Sequence, residues 1–478
     1  MNTRSVNPHI NTSFKNFVEI PIRGLKWLLN KLKLRELFKK HVQDPRLSKS
    51  AYSMSSLLMS GLFISLFRNP SRHQFYLHLL KPYIHRGNLS YLAGIEGGKF
   101  PSTRTLEDNY QICNPAELQE VLFSLFENLC RSKVFINHPS LLSNGRYLLA
   151  IDAFHIHTYH PISQHPCHHC PYCLKRERDE KVWYVHIIVV ASVISPQGFQ
   201  FPLYIHRIRK SIVNASKSDT DFKEQCELSS LPIILEAIRQ RFPKLKFNLL
   251  LDALYSNNPV FELAKKFGFE YEIVRKVGNF PSLNEDIEGL KRSPDTPLII
   301  HQFATKRFEV YQSIRFFNGL IPSSSSRSLN LLEIDEFAQK KPSKRFAKVH
   351  QKQSHWQWIV YSTLNASNAI QYATEARKRW KEEDLGNTLK NRGYHLKHDF
   401  SRHPQSQSIW LFLMFIAFGL TSIFLLSEIG FHSRKKNTII FLMQEMLADL
   451  LRFSFDFLFN FQGKSPNLLR FYVVPAAG

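Results

Sequence analysis

The chain has 478 residues, enough for two or three domains with cores of their own. Lys and Arg outnumber Asp and Glu by 63 to 39, a formal net charge of +24. That balance argues for a polyanionic partner, nucleic acid or an anionic membrane surface. Six cysteines exclude a disulfide scaffold, and with no apolar stretch at the N-terminus no secretory signal is expected.

In chain order, residues 1 to 20 are polar. From Ile22 to Val42, Leu25, Leu28, Leu29 and Leu32 recur at helical spacing among Lys26, Lys31, Lys33 and Arg35, which predicts a basic amphipathic helix. A second helix is expected from Ser50 to Phe67, stopped by Asn69-Pro70. Gly87, Gly94, Gly97 and Gly98 then mark loops. Hydroxyls at Ser102 and Thr103 are placed to cap a further helix, with a helix-turn-helix element around Thr103 to Cys113, and Pro115 to Val134 reads as one more. Together these make residues 1–145 a helical DNA-binding domain.

At Tyr147 the character changes. Tyr147 to Ile156 reads as a buried strand carrying Asp152. Val182–Ile194 and Phe199–Ile208 form a hairpin across Ser195-Pro-Gln-Gly198. A helix from Asp221 to Arg241, a strand ending at Asp252, a helix over 257–267 and a strand over 271–274 follow. Three strands, helix, strand, helix, strand is the order of an RNase H-like domain. The fold class expected is therefore α/β, a mixed sheet with flanking helices. A carboxylate in an apolar strand is costly unless paired or metal-bound, so Asp152 and Asp252 are candidate ligands.

Residues 146–277 are the first part of this domain, with a Cys/His-rich turn at 160–174. Residues 278–365 are a β-rich insertion, 366–428 the second part of the domain, and 429–478 a C-terminal helical segment. In the insertion, Lys344, Arg345 and Lys348 belong to a run of cations between Lys340 and Lys352 that contains no acidic residue, a candidate surface for DNA phosphates. Ile409 to Leu426 is apolar for about 18 residues, the lower edge of a membrane span. With no second stretch like it, it reads as a buried helix and argues against a membrane protein.

The helix expected from Ala366 to Tyr394 carries the decisive pattern. At about 100° per residue, Arg379, Glu383 and Lys390 share one stripe, a carboxylate between two cations. Glu382 lies about 100° around and is expected to tolerate replacement. This spacing resembles the Tyr-x2-Arg-x3-Glu-x6-Lys (YREK) signature of bacterial insertion-sequence DDE transposases, as do Asn391-Arg-Gly-Tyr394 and His398-Asp-Phe400. The chain departs from the signature at Ala376, where it has Tyr, at Glu382, where an apolar residue is usual, and at Gly386, where Phe is usual. Gly386 could allow close approach of a DNA backbone or mark decay.

The resemblance implies a catalytic triad of Asp152, Asp252 and Glu383 holding Mg2+ or Mn2+, with Arg379 and Lys390 gripping phosphates. It implies strand cleavage at the ends of a mobile element and strand transfer into target DNA. The partners implied are double-stranded DNA and a second copy in the DNA complex, and the location cytoplasmic and nucleoid-associated. The alternative is a catalytically decayed DNA-binding protein that keeps the fold. Finally, Cys167, Cys170 and Cys173, with His165, His168 and His169 among them, have the spacing of a structural zinc site, with His169 a candidate fourth ligand.

Overall fold

The computed structural model describes residues 20–460 apart from 47–49, 81–84, 97–98, 134, 136–137, 139–140, 160–169, 179–180, 211–218, 306, 324–326, 342–350 and 435–437. The described residues open on helices α1 (Pro21–Lys31), α2 (Leu34–His41), α3 (Met54–Leu66), α4 (Arg72–Leu80), α5 (Arg86–Ala93), α6 (Thr103–Tyr110) and α7 (Glu117–Arg131). Strands β1 (Tyr147–Tyr159), β2 (Leu174–Arg178), β3 (Lys181–Ile194) and β4 (Gln200–Arg207) follow. Then come α8 (Asp219–Arg241), β5 (Phe247–Leu251), α9 (Asn258–Phe267), β6 (Glu270–Arg275) and α10 (Ser282–Lys291). The next strands are β7 (Leu298–Ala304), β8 (Phe308–Leu320), β9 (Leu329–Lys340) and β10 (Gln351–Val360). Helices α11 (Ala369–Ala376), α12 (Trp380–Asn391), α13 (Pro404–Leu426), α14 (Glu428–Arg434), α15 (Ile439–Arg452) and α16 (Phe455–Phe459) complete it.

The ten strands form one mixed sheet. β1 and β3 pair antiparallel, and β3 carries β2 along one half of its outer edge and β4 along the other. On its other side β1 pairs parallel with β5, and β5 parallel with β6. β10, β9, β8 and β7 then continue the same sheet in antiparallel steps. The residues read as an insertion are thus an extension of the sheet. The β3–β4 turn needs its glycine: Gly198 has φ +89° and its N–H donates to Ser195 O at 3.0 Å.

Strand alternation sorts β1 onto two faces. Leu149, Ile151 and Ala153 join the main core, which runs from Ile22 in α1 to Leu458 in α16. Leu148 and Ala150 join Ile194 and Leu250 in a small apolar cluster on the other face. The N-terminal and C-terminal helices therefore share one core with the sheet. Leu25, Leu28, Leu29 and Leu32 are buried in it, so the apolar stripe of the basic N-terminal segment is spent on packing. Among the described residues α13 is the one helix long and apolar enough to cross a membrane, and 83% of its most apolar window is buried in the protein. Its Trp410 packs on Tyr110 with ring centroids 5.0 Å apart.

Several elements differ from expectation. The segment read as one helix from Ile22 to Val42 is two, divided where Lys33 takes φ +54°. The helix expected over 366–394 is α11, a 3-10 turn at Arg377–Arg379, and α12. Within the helical segment expected at 429–478, the helix breaks at Phe453 and Ser454, and the Ser454 hydroxyl caps α16 by accepting from Phe457 N–H. β2, Leu-Lys-Arg-Glu-Arg, has no apolar alternation to announce it; its pairing with the long β3 makes it a strand.

Candidate active site and metal centre

β1 and β5 pair in parallel with Ala150 opposite Leu250. Two residues further on come Asp152, still within β1, and Asp252, one residue past the end of β5, so the register carries both aspartates to the same end of the parallel pair. Alternation puts Asp152 on the same face as Leu148 and Ala150. Both aspartates are half-buried. Asp152 Oδ1 accepts from Ala153 N–H at 2.9 Å, and Asp252 Oδ1 accepts from Leu254 N–H at 2.9 Å, capping the 3-10 turn Ala253–Tyr255.

α12 lies on this face. A Cβ built on Gly386 would stand 2.7 Å and 2.8 Å from two atoms of the Phe154 ring. The glycine therefore allows the helix to seat directly on β1, and the bulky residue of the signature would not fit with Phe154 where it is. Ala376, the other departure, is buried at the end of α11 among Trp358, Leu332 and Tyr372.

The inward-facing acid of α12 is Glu382. It is fully buried and accepts hydrogen bonds from Ser192 Oγ on β3 and Gln200 Nε2 on β4, both at 3.0 Å. Burial pushes its carboxyl well above the usual range, and the charge of Asp152 pushes the same way, against the two hydrogen bonds. Against the expectation that Glu382 tolerates replacement stands this burial: the polar departure from the signature has polar partners built into the sheet. Glu383 sits on the exposed flank, where Arg379 Nη2 meets its Oε1 at 2.9 Å. Lys390 Nζ is 5.9 Å from the Phe154 ring centroid, at the rim of the same face. The structure thus brings Asp152 and Asp252 together, with Glu382 electrostatically coupled to Asp152, while Glu383 is engaged by Arg379.

Among the described residues, the three or more metal-ligating side chains whose atoms lie within 4.8 Å of one another are Cys170, Cys173 and His186, all buried. Asp152, Asp252 and Glu383 are not gathered that closely. His186 Nε2 is 2.8 Å from Cys173 Sγ and 3.6 Å from Cys170 Sγ. Hydrogen bonding from the neighbouring Cys173 and the His186 ring draws the Cys170 thiol far below its ordinary value, against burial. This donor set suits a soft metal such as zinc. Behind the ring, Arg207 Nη2 is 3.2 Å from His186 Nδ1 and also reaches Gln407 Oε1 at 2.6 Å. Cys167 and His169 lie outside the described residues. Sequence reading missed His186 because it comes from β3; its one signal is a lone imidazole in the apolar run Val182 to Ile194.

Lys344, Arg345 and Lys348 also lie outside the described residues. Beside them in sequence, Lys352 lines a groove of about 490 Å3 between the sheet extension and α11–α12, with Arg377, Lys378, Trp380 and Lys381. Arg377 stacks over the Trp356 ring at 5.0 Å and pairs with Glu336.

On the same face of the sheet as Asp152 lies a second acidic pair. Asn248 Nδ2 donates to Glu272 and, at 3.2 Å, to Glu375 Oε2, while Gln371 Nε2 donates to Glu375 Oε1 at 2.5 Å. Burial, then the charge of Glu375, holds the Glu272 carboxyl well above the usual range. Glu272 is therefore the carboxyl held in its neutral form here.

No protein-family model matches the chain, and no curated protein matches it at a significant level.

Proposed function

We propose that this chain is a metal-dependent DNA transposase of the DDE type, built on an RNase H-like core. One observation carries the reading. The order β4-β3-β1-β5-β6, antiparallel over the first three strands and parallel over the last two joins, has Asp152 on β1, Asp252 just past the end of the neighbouring β5, and α12 across the face that Asp152 occupies. That strand order and direction are those expected of an RNase H-like sheet, and the signature spacing of Arg379, Glu383 and Lys390 falls on the helix laid against it.

Asp152 and Asp252 would hold Mg2+ or Mn2+, hard cations that prefer carboxylate oxygen, and Glu383 would join them on release from Arg379. The half-buried aspartates and the orphaned hydroxyl of Tyr255 described below fit such a group. Bound divalent ions supply an activated water or hydroxyl and stabilise the leaving oxygen in phosphodiester cleavage. The chain's own residues do the rest. Arg379, freed from Glu383, and Lys390 neutralise phosphates at the rim of the site. Lys344, Arg345 and Lys348, with the cations of the groove beside them, contact the DNA backbone without reading bases. Glu382, hydrogen-bonded under Asp152, fixes the seat of α12. A structural zinc on Cys170, Cys173 and His186 would fasten β2 to the edge of β3. Double-stranded DNA is the partner, a dimer is the form on DNA, and the nucleoid of a bacterial cytoplasm is the location that goes with this activity.

The test uses purified protein and a labelled duplex carrying the element's ends. With Mg2+ or Mn2+ the protein should nick the ends; Asp152→Asn, Asp252→Asn and Glu383→Gln should each abolish cleavage and keep DNA binding. A wild-type protein that binds ends and cuts none with either metal would favour the binding-only alternative, to which the Arg379–Glu383 pair and the missing signature tyrosine at Ala376 lend weight.

A further inference from the structure

Tyr255 ends the 3-10 turn that Asp252 begins. Its side chain is wholly buried, yet among the described residues its hydroxyl has no hydrogen-bond partner. Buried hydroxyls are nearly always paired, so an orphan of this kind calls for an explanation. Its surroundings supply one. Besides burial, the charges acting on this phenol are those of Glu227 on α8, Asp252 and Asp152, and all act to keep it protonated. Glu227 is itself buried. The charges of three carboxylates from three elements thus act on a hydroxyl that bonds to none of them. An apolar neighbour would have served the packing equally well. A hydroxyl here is useful to something small and polar that stands between it and the carboxylates.

Mg2+ and Mn2+ sites of this kind keep several waters, and those waters need partners beyond the ion. A phenol both donates and accepts, so it can orient one of them. Groups that bond to a metal's ligands rather than to the metal tune its affinity. We propose that the Tyr255 hydroxyl is a positioning group for the hydration shell of a divalent cation held by Asp152 and Asp252, with Glu227 the third carboxylate facing that shell. This rests on the metal site argued above and adds two residues to it that the triad does not contain.

Titration of the full-length protein with Mn2+, followed by calorimetry and by the electron paramagnetic resonance of free Mn2+, tests it on four proteins: wild type, Tyr255→Phe, Glu227→Gln and Asp152→Asn. The expected result is loss of the site in Asp152→Asn and an affinity lower by about 10- to 100-fold in Tyr255→Phe and Glu227→Gln. Metal-free Tyr255→Phe should melt no lower than wild type, since it removes only an unpaired hydroxyl. Unchanged Mn2+ affinity in Tyr255→Phe, with the site lost in Asp152→Asn, would overturn this inference and leave the metal site standing. Wild-type affinity in Asp152→Asn would remove the metal site and this inference with it. A Tyr255→Phe protein that is destabilised without metal would make the residue structural and overturn the positioning role.

Discussion

Replacing Gly386 by Ala tests whether α12 rests on β1 as closely as described. Two effects oppose each other. Alanine is the better helix former, worth about 1 kcal/mol in a helix interior. Against that, the new methyl would stand 2.7 Å and 2.8 Å from Phe154 Cε1 and Cδ1, closer than real Cβ atoms come to a neighbour. Phe154 is itself buried and cannot swing into solvent. Overpacking a filled site costs about 1–3 kcal/mol, and a clash with two atoms of a confined ring belongs in the upper half of that range. The net expectation is a loss of about 1–2 kcal/mol. At about 2.1 cal/mol/K per residue, the unfolding entropy of a 478-residue chain is roughly 1 kcal/mol/K, so the melting temperature should fall by about 1–2 °C. Differential scanning calorimetry resolves such a shift. Pairing the change with Phe154→Leu should recover part of the loss, because the two side chains are in contact and their effects do not add. A Gly386→Ala protein as stable as wild type, or more so, would refute the close seating of α12.

Further outcomes follow from the same geometry. Glu382→Ala should cost about 1–3 kcal/mol, because Ser192 and Gln200 are left without their acceptor in a buried site; Glu383→Ala should cost about 0–1 kcal/mol, because its pair with Arg379 is half in water. Chemical denaturation of the two variants ranks them, and equal losses would contradict the inward facing of Glu382. Glu272 holds its proton in the folded chain and loses it when unfolded near the ordinary carboxyl value. The folded state thus binds more protons, so stability should fall as pH rises from about 4.5 towards the folded value. Glu272→Gln should flatten that fall in melting temperature measured against pH, and an unchanged slope would count against a protonated Glu272. Protein prepared without chelator should carry about one equivalent of zinc by elemental analysis, lost on Cys170→Ser, Cys173→Ser or His186→Ala; metal-free wild-type protein would end that assignment.

Much of the central sheet was legible because its strands are apolar enough to announce themselves. Tyr147 to Ile156, Val182 to Ile194 and Phe247 to Asp252 read as strands from their apolar runs alone, and Asp152 and Asp252 stood out as carboxylates where a strand should be apolar. The stripe of Arg379, Glu383 and Lys390 was equally plain, since helical spacing is a local property, and a 3-10 turn before Trp380 leaves it intact. What faces the stripe was not legible. Whether Glu382 or Glu383 turns inward depends on how α12 rotates against β1, and that is set by Gly386 meeting Phe154, residues more than two hundred positions apart. For the same reason His186 could not be assigned to the cysteines: it reaches Cys170 and Cys173 only through the pairing of β2 with β3. Local periodicity determines which residues lie on one face of one element. Which two faces meet, and hence which buried acid has partners and which hydroxyl is left without one, is decided only when packing fixes the elements against each other.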